Sequence, residues 1–323
     1  MQADPLSLVM IAWLIKTTLQ FSTPLVLTAI GGMYSERSGI VNIGLEGMML
    51  IGAFSAVAAT YFTYDPITGT YNPWIGVIVA VIAGGILAGI HAVICVKLKG
   101  DHIVSGTGVI LFATGFTTLM LYVIWGQRGV SNQVASLPLV VIPGLSNVPF
   151  FGAIFGSMSP FIYMMFFTVI ISWIIFYKTP FGLRLRAAGE DPSTLDAAGV
   201  NVETIRMIGV IISGCLAGLG GAYLSIGYGS RFGKLMTSGR GFIALAALIF
   251  GGWKPVGVFL SGTFFGFLEA FGDYINLTIP ALAPYNNFIQ MIPYILVVIA
   301  LAGIGRSRPP KAVGKPYEKE HRA

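Results

Sequence analysis

Long apolar stretches, broken by short polar or Gly- and Pro-containing punctuation, run through the whole chain. The windows between successive Asp, Glu, Lys or Arg residues measure them. There are 31 uncharged residues between Asp65 and Lys97, 26 between Asp101 and Arg128, 24 between Arg206 and Arg231, and 32 between Asp273 and Arg306. A helix crosses the hydrocarbon of a bilayer with about 20 apolar residues, so each window is long enough. Trp74 to Val96 is apolar on every face, whereas a barrel strand would alternate with period two over about ten residues. The pattern predicts an all-α, polytopic membrane bundle of about nine (eight to ten) spans, near 8–30, 40–62, 74–96, 103–125, 159–177, 206–228, 238–252, 255–273 and 287–305. The seventh is short and is parted from the eighth only by Gly251-Gly252-Trp253-Lys254-Pro255, so 238–273 also reads as a hairpin or a re-entrant element.

Composition narrows the class. Of 323 residues, 55% are hydrophobic and 10% charged, against about 25% charged in a soluble domain, which excludes a soluble enzyme. Cys95 and Cys215 both fall inside apolar segments, so neither a disulfide framework nor a CxxC metal site is expected. The first ten residues carry Asp4 and no Lys or Arg, unlike the basic start of a cleaved signal peptide, and the first span is expected to stay as an anchor.

Charge placement gives a direction. An alternating nine-span path puts fourteen basic residues on one side, among them Arg37, Lys97, Lys99, Lys178, Arg184, Arg186, Arg206, Lys254 and the tail residues Arg306, Arg308, Lys311, Lys315, Lys319 and Arg322. Arg128, Arg231, Lys234 and Arg240 fall on the other, and Lys16 lies within the first span. By the positive-inside rule the rich side is cytoplasmic and the N-terminus is outside. The chain thus divides into a membrane domain, 1–305, and a basic cytoplasmic tail, 306–323. The net charge of +6 then serves anchoring beside membrane lipid, and no soluble basic domain is present to bind nucleic acid.

The most informative polar stretch is the loop 178–205, where four basic and four acidic residues gather between Lys178 and Arg206. Asp191 suits an N-cap, Pro192 a first helical position and Gly199 a left-handed stop, predicting about two turns over Pro192 to Ala198. So short a helix needs a partner surface. Inside the membrane, Asn42 and Glu46 stand at i and i+4, on one face of a helix over 40–62. An intramembrane carboxylate usually faces a bundle interior or a watery cavity, so the pair reads as a translocation-path or gate position, or as hydrogen-bonded packing. Glu269 and Asp273 read as solvated residues at a span end. His91 and Cys95 share a face, but structural zinc needs four ligands, and packing is the expected role. No Ser/His/Asp set is recognisable among His91, His102 and His321. The Pro-containing loop 126–158 suits reception of a binding protein or a surface-lying segment.

Three segments carry a family resemblance. Gly32 to Phe54, GMYSERSGIVNIGLEGMMLIGAF, is similar to an SGxxNIGxEGxMLxGA signature. Arg186 to Val200, RAAGEDPSTLDAAGV, resembles a cytoplasmic coupling loop, and Gly251 to Gly262, GGWKPVGVFLSG, a late Gly-rich hairpin. All three belong, in this order, to bacterial ABC-importer permeases of the ribose, branched-chain amino acid and nucleoside type, nearest the nucleoside and simple-sugar branch. The resemblance implies a permease subunit, not an enzyme, in the bacterial cytoplasmic (inner) membrane. Its implied partners are an ABC ATPase subunit, a second permease (a heterodimer preferred over a homodimer) and an extracytoplasmic substrate-binding lipoprotein. No GxxxxGK[ST] occurs, since Gly233-Lys234-Leu235 and Gly314-Lys315-Pro316 lack it. The chain therefore binds no cofactor of its own, and ATP and Mg sit on the partner ATPase.

The resemblance assigns ATPase coupling to Arg184, Arg186, Ala188, Gly189, Glu190, Asp191, Pro192, Leu195, Asp196, Gly199 and Val200. Arg184, Arg186, Glu190, Asp191, Asp196 and Glu203 would form a polar rim, and Leu195 with Val200 the apolar contact. On this view Gly189→Arg or Ala188→Asp leaves the protein inserted but uncoupled. A branched-chain amino acid permease is a same-family alternative. An ion-coupled secondary transporter or channel using Glu46, and a membrane enzyme acting on lipid, are rivals from other classes. Ser38-Gly39 and Ser238-Gly239 open spans of opposite direction, as an inverted repeat would.

Overall fold

The computed structural model describes residues 8–144, 148, 150–278 and 308–318, with 285, 288, 291 and 295 as single positions. In chain order it forms α1 (Leu8–Arg37), α2 (Leu45–Phe62), α3 (Pro73–Ala92) and α4 (His102–Trp125). A two-residue strand β1 (Val140–Val141), α5 (Phe151–Phe155) and β2 (Ser157–Met158) follow, then α6 (Pro160–Lys178), α7 (Pro180–Glu190), α8 (Pro192–Ala197), α9 (Val202–Ala222), α10 (Arg240–Phe250) and α11 (Pro255–Thr278). π-helical turns extend α3 to Lys97 and α9 to Gly229.

Seven helices among the described residues are long and apolar enough to cross a membrane: α1, α2, α3, α4, α6, α9 and α11. The fold class is therefore a polytopic helical bundle, but nine full spans are not what these residues form. The expected seventh span is α10, an 11-residue helix of about 16 Å, half a bilayer. The expected ninth, 287–305, lies outside the described residues.

The helix starts follow from local chemistry. Asp101 caps α4 by accepting from the backbone N–H groups of Ile103 and Val104, each at 2.8 Å. Asn72 caps α3 ahead of Pro73, and Pro160 opens α6 at a position where a missing N–H costs nothing. The chain threads back and forth. Arg37, Lys97, Lys178, Val202 and Trp253 lie at one end, hereafter the Arg37 end, and Phe62, Trp125, Pro160 and Gly229 at the other.

At the centre α9 packs on α1, α2 and α3. Small residues let these backbones close. A Cβ on Gly84 of α3 would run into the Gly214 carbonyl and approach Gly218 Cα at 3.0 Å, while Gly89 on the same helix has open space. Gly84→Val should therefore cost about 1–3 kcal/mol by overpacking, seen as a lower melting midpoint in detergent, whereas Gly89→Val should be near neutral. Equal midpoints would mean that the seam is not this tight.

A second order is visible in the packing. α1 lies along α11 as α9 lies along α3. Each of α1 and α9 is followed by an irregular Ser-Gly segment with a left-handed glycine, Gly39 at φ 102° and Gly239 at φ 83°. A shorter helix and then a long one succeed it. The two sets run in opposite senses, the arrangement an inverted repeat requires.

Candidate functional site

The site begins where α1 ends. Residues 38–44 are not helical and turn back into the bundle: Ser35 Oγ donates to the Ile40 carbonyl at 2.7 Å, and Ser38 Oγ to the Ser35 carbonyl at 2.6 Å. Asn42, fully buried, donates through Nδ2 to Ser213 Oγ of α9 at 3.0 Å. Val41 is held on both sides, its N–H on His102 Nδ1 and its carbonyl on His91 Nε2, each at 3.3 Å. His91 also meets Ser105 Oγ at 2.8 Å. The histidines thus join α3, α4 and the 38–44 turn. Because α2 starts only at Leu45, Asn42 and Glu46 do not share a helix face. The irregular entry sends Asn42 toward α9 and Glu46 toward α10.

Glu46 stands in the first turn of α2, 9% exposed. Three donors converge on its carboxyl group: Thr237 Oγ1 at 2.6 Å and the Gly239 N–H at 2.9 Å on Oε1, and the Gly241 N–H at 2.7 Å on Oε2. They come from the N-terminus of α10 and the segment before it. That segment leaves α9 at Gly229 and descends along α2, with buried Phe232 set edge-to-face on Phe54 at 5.4 Å. Left-handed Ser230, Leu235 and Ser238 make the descent irregular. Its edges are covered by 129–137: Ser131 N–H bonds the Phe232 carbonyl, Lys234 N–H the Gly129 carbonyl and Val134 N–H the Ser230 carbonyl, at 2.8–2.9 Å. Part of the 126–158 loop is therefore built into the bundle.

A helix starting inside the bundle exposes orphan N–H groups and the positive end of its dipole, and Glu46 satisfies both needs. Gly241 must be glycine, since a Cβ there would sit 2.5 Å from Glu46 Cα. Thr237, Gly239 and Gly241 were missed from the sequence. The readable signal was the pair of glycines flanking Arg240 just ahead of an apolar run.

At the Arg37 end, the 178–205 stretch holds more helix than its punctuation predicts. Its first part is α7, capped by Thr179 Oγ1 on the Gly182 N–H at 3.2 Å. In α8 the cap is as expected: Asp191 Oδ1 accepts from the Thr194 N–H at 3.1 Å, and Gly199 is left-handed at φ 79°. Hydroxyl hydrogen bonds from Ser193 and Thr194, with the Thr194 N–H, hold the Asp191 carboxyl down to about 2.

The side-chain directions correct the expected contact surface. Leu195 is 6% exposed and belongs to this chain's own core, so it is not an outward apolar contact, while Val200 packs against that core and stays half-buried. Ala188 and Gly189 are buried, and a Cβ on Gly189 would strike the Arg37 carbonyl. Gly189→Arg or Ala188→Asp would therefore break packing and cannot leave a sound protein. Exposed positions include Leu183, Arg184, Glu190, Asp191, Ser193, Thr194, Ala197, Ala198, Gly199, Asn201, Glu203 and Thr204, with Pro192 and Asp196 half-buried. Arg186 lies half-buried over the Tyr177 ring at 5.4 Å, and Arg37 pairs with Glu190 at 3.7 Å.

Below α7 lies Arg206, 2% exposed. It donates to the Ala188 carbonyl at 3.3 Å and to the Lys315 carbonyl at 3.0 Å, against Gly39. Residues 308–318 strap this end: Ala312 N–H bonds the Gly189 carbonyl at 2.8 Å, Gly314 N–H the Gly39 carbonyl at 3.0 Å, and Lys99 pairs with Glu318 at 3.1 Å. Trp253 ties in the start of α11 by donating to Glu36 at 2.6 Å while its carbonyl accepts from Arg37 Nε at 2.9 Å. The turn that positions Asn42 and Glu46 is thus continuous, through hydrogen bonds, with α7.

Known proteins are similar to this chain over most of its length. Residues 14–301 match the family model described as "Branched-chain amino acid transport system / permease component". The chain is 41% identical to the guanosine ABC transporter permease protein NupQ of Bacillus subtilis over 96% of its own length and 97% of the relative. It is 39% identical to the nucleoside ABC transporter permease protein NupC of Lactococcus lactis, over 95% and 96%. Similarity to a putative glucose ABC transporter permease protein, TsgC13 of Haloferax volcanii, is 35% over 80% and 76%. No solved structure matches.

Proposed function

This chain belongs to the family of branched-chain amino acid transport system permease components, and from that premise we propose that it moves nucleosides across the bacterial cytoplasmic membrane as the permease of an ATP-driven importer. It is a membrane-spanning transport subunit and not an enzyme. The observation that carries the nucleoside reading is its near end-to-end similarity to two permeases named for guanosine and for nucleosides. The glucose-named relative is aligned over less of both chains.

The path runs past Asn42 and Glu46, where two irregular segments meet inside the bundle, a setting suited to alternating access. The Arg37 end is cytoplasmic, with the N-terminus outside, because most Lys and Arg residues collect there. A partner ATPase engages the exposed faces of α7 and α8. Its closure reaches the 38–44 turn through Arg37, Glu190 and Arg206. A second permease, different from this one in the preferred arrangement, completes the pore, and a substrate-binding lipoprotein delivers the nucleoside from outside.

The test is uptake. The chain, co-expressed with its neighbouring transporter subunits, is purified in mild detergent and reconstituted with ATP and magnesium. Labelled guanosine, adenosine and cytidine should enter in an ATP-dependent way, and glucose and leucine should not. Uptake of glucose or leucine alone would overturn the substrate assignment, and recovery without any ATPase would overturn the coupling.

A further inference from the structure

Resting on the nucleoside reading, we propose that the cavity at the N-terminal end of α10 is a transit site that holds the heteroaromatic base of the nucleoside. The cavity has a volume of about 200 Å³ and is lined by Gln20, Phe21, Tyr223, Tyr228, Met236 and Arg240, with Pro24 beside Gln20. It lies next to the Glu46 cradle, because Arg240 stands between the two glycines whose N–H groups bind that carboxyl group. A solute held there would be one step from the break between α1 and α2.

The chemistry of the walls selects the ligand. Three rings gather at one side: Tyr228 lies 6.1 Å from Phe21 and 6.4 Å from Tyr223, centroid to centroid. Tyr223 is 2% exposed and forms a fixed floor, whereas Tyr228 is 57% exposed and borders the open side. Flat π faces bind any nucleobase by stacking, whatever its sequence of ring atoms, which suits a carrier of several nucleosides.

The polar groups are few, as in ligand pockets generally. Pro24 lies inside α1 and has no N–H, so the Gln20 carbonyl lacks its ordinary helical donor four residues on. Arg240 Nε is buried with no acceptor, while its terminal nitrogen bonds Glu269 at 3.5 Å. Gln20, among the lining residues, carries an amide with both donor and acceptor atoms, which suits the mixed edge of a base.

Charge excludes the phosphorylated relatives of the same ligand. Arg240 is paired with Glu269, which is half-buried with 14% of its side chain exposed rather than solvated as its place near a span end suggests. Asp273 follows one turn later on α11. Among the described residues no unpaired cation therefore lines this cavity to receive a phosphate, and a neutral nucleoside fits where a nucleotide would not. The volume is below the roughly 300–1,000 Å³ of pockets that enclose whole drug-sized ligands. It suits a base in the cavity with the sugar at the open side beside Tyr228.

The test is photolabelling of the complete reconstituted transporter with 8-azidoadenosine during ATP-driven uptake, followed by peptide mapping. It needs no variant to fold. Adducts are expected on the peptides carrying Phe21, Tyr223 or Tyr228, reduced by excess guanosine and not by free ribose. Tyr228→Ala should lower uptake about tenfold, the effect of removing one stacking ring, and lose the label, and Tyr228→Phe should keep both uptake and label. Labelling confined to other peptides, labelling that guanosine does not reduce, or parental uptake by Tyr228→Ala overturns the site while leaving nucleoside transport standing. A transporter that takes up glucose or leucine and no nucleoside removes the nucleoside reading and the site together.

Discussion

Replacing Glu46 with alanine should lower ATP-driven nucleoside uptake by at least a hundredfold. The carboxyl group accepts three hydrogen bonds from Thr237, Gly239 and Gly241 in a site that is 9% exposed. Hydrogen bonds to a charged group contribute about 1.5–3 kcal/mol each, and a buried donor left without a partner costs about 1–3 kcal/mol. Even after partial rearrangement, a loss on the order of 3–4 kcal/mol falls on the docking of α10 against α2. At 1.4 kcal/mol per decade, that moves the equilibrium constant for assembling the path by two powers of ten or more. Glu46→Gln keeps an oxygen for Thr237 and Gly239 but turns an amide NH₂ toward the Gly241 N–H, so a smaller loss, roughly tenfold, is expected. Thr237→Val removes one donor and should cost less than Glu46→Ala.

Uptake by each variant, read beside its melting midpoint in detergent, checks the series. Parental uptake in Glu46→Ala would remove the cradle from the mechanism. The same variants separate an ATP-driven permease from an ion-coupled one. Uptake driven by a pH gradient in vesicles holding this chain alone, and abolished in Glu46→Gln, would replace the ATP-driven reading by the ion-coupled one.

What the chain discloses before folding depends on the length scale of the signal. Spans such as α3 and α4 were legible because each is an unbroken apolar run between capping residues, Asn72 or Asp101 at one end and a charge or glycine at the other. The α8 turn was legible because Asp191, Pro192 and Gly199 act locally. Side-chain direction was not: Leu195 looked like an exposed anchor until α7 and α9 enclosed it. The Asn42 and Glu46 pair shows the same limit. Spacing i and i+4 implies one face only if the helix is already formed, and here it begins at Leu45, because His91, His102 and Ser213, all distant in sequence, hold 41–42 in a non-helical conformation. The partners of Glu46 lie about 190 residues downstream, beyond the reach of any local pattern. A half-length α10 could be suspected from its brevity, but only the cradle explains why it starts where it does.

The proposed ATPase contact on the exposed faces of α7 and α8 can be tested without disturbing the fold. Ala197 and Ala198 are exposed at the end of α8, and the helix is anchored from below by Leu195 and from its start by Asp191. Ala197→Trp adds a large side chain to the outer face and removes no internal contact. It should leave insertion and melting midpoint unchanged, cut ATP-driven uptake by more than tenfold, and reduce the amount of ATPase that copurifies. Ala188→Asp provides the contrast. Ala188 is fully buried beside Arg206, whose guanidinium donates to its carbonyl, and a carboxylate forced into this packed site costs several kcal/mol. That variant should fail at the level of stability, with a lowered midpoint or no recoverable protein. Uptake in Ala197→Trp at the parental rate, with normal ATPase recovery, would exclude α8 as the docking element. Because the strap 308–318 shares the Arg37 end, bonding Gly189 and Gly39 through backbone groups, the docking surface would then have to include the strap.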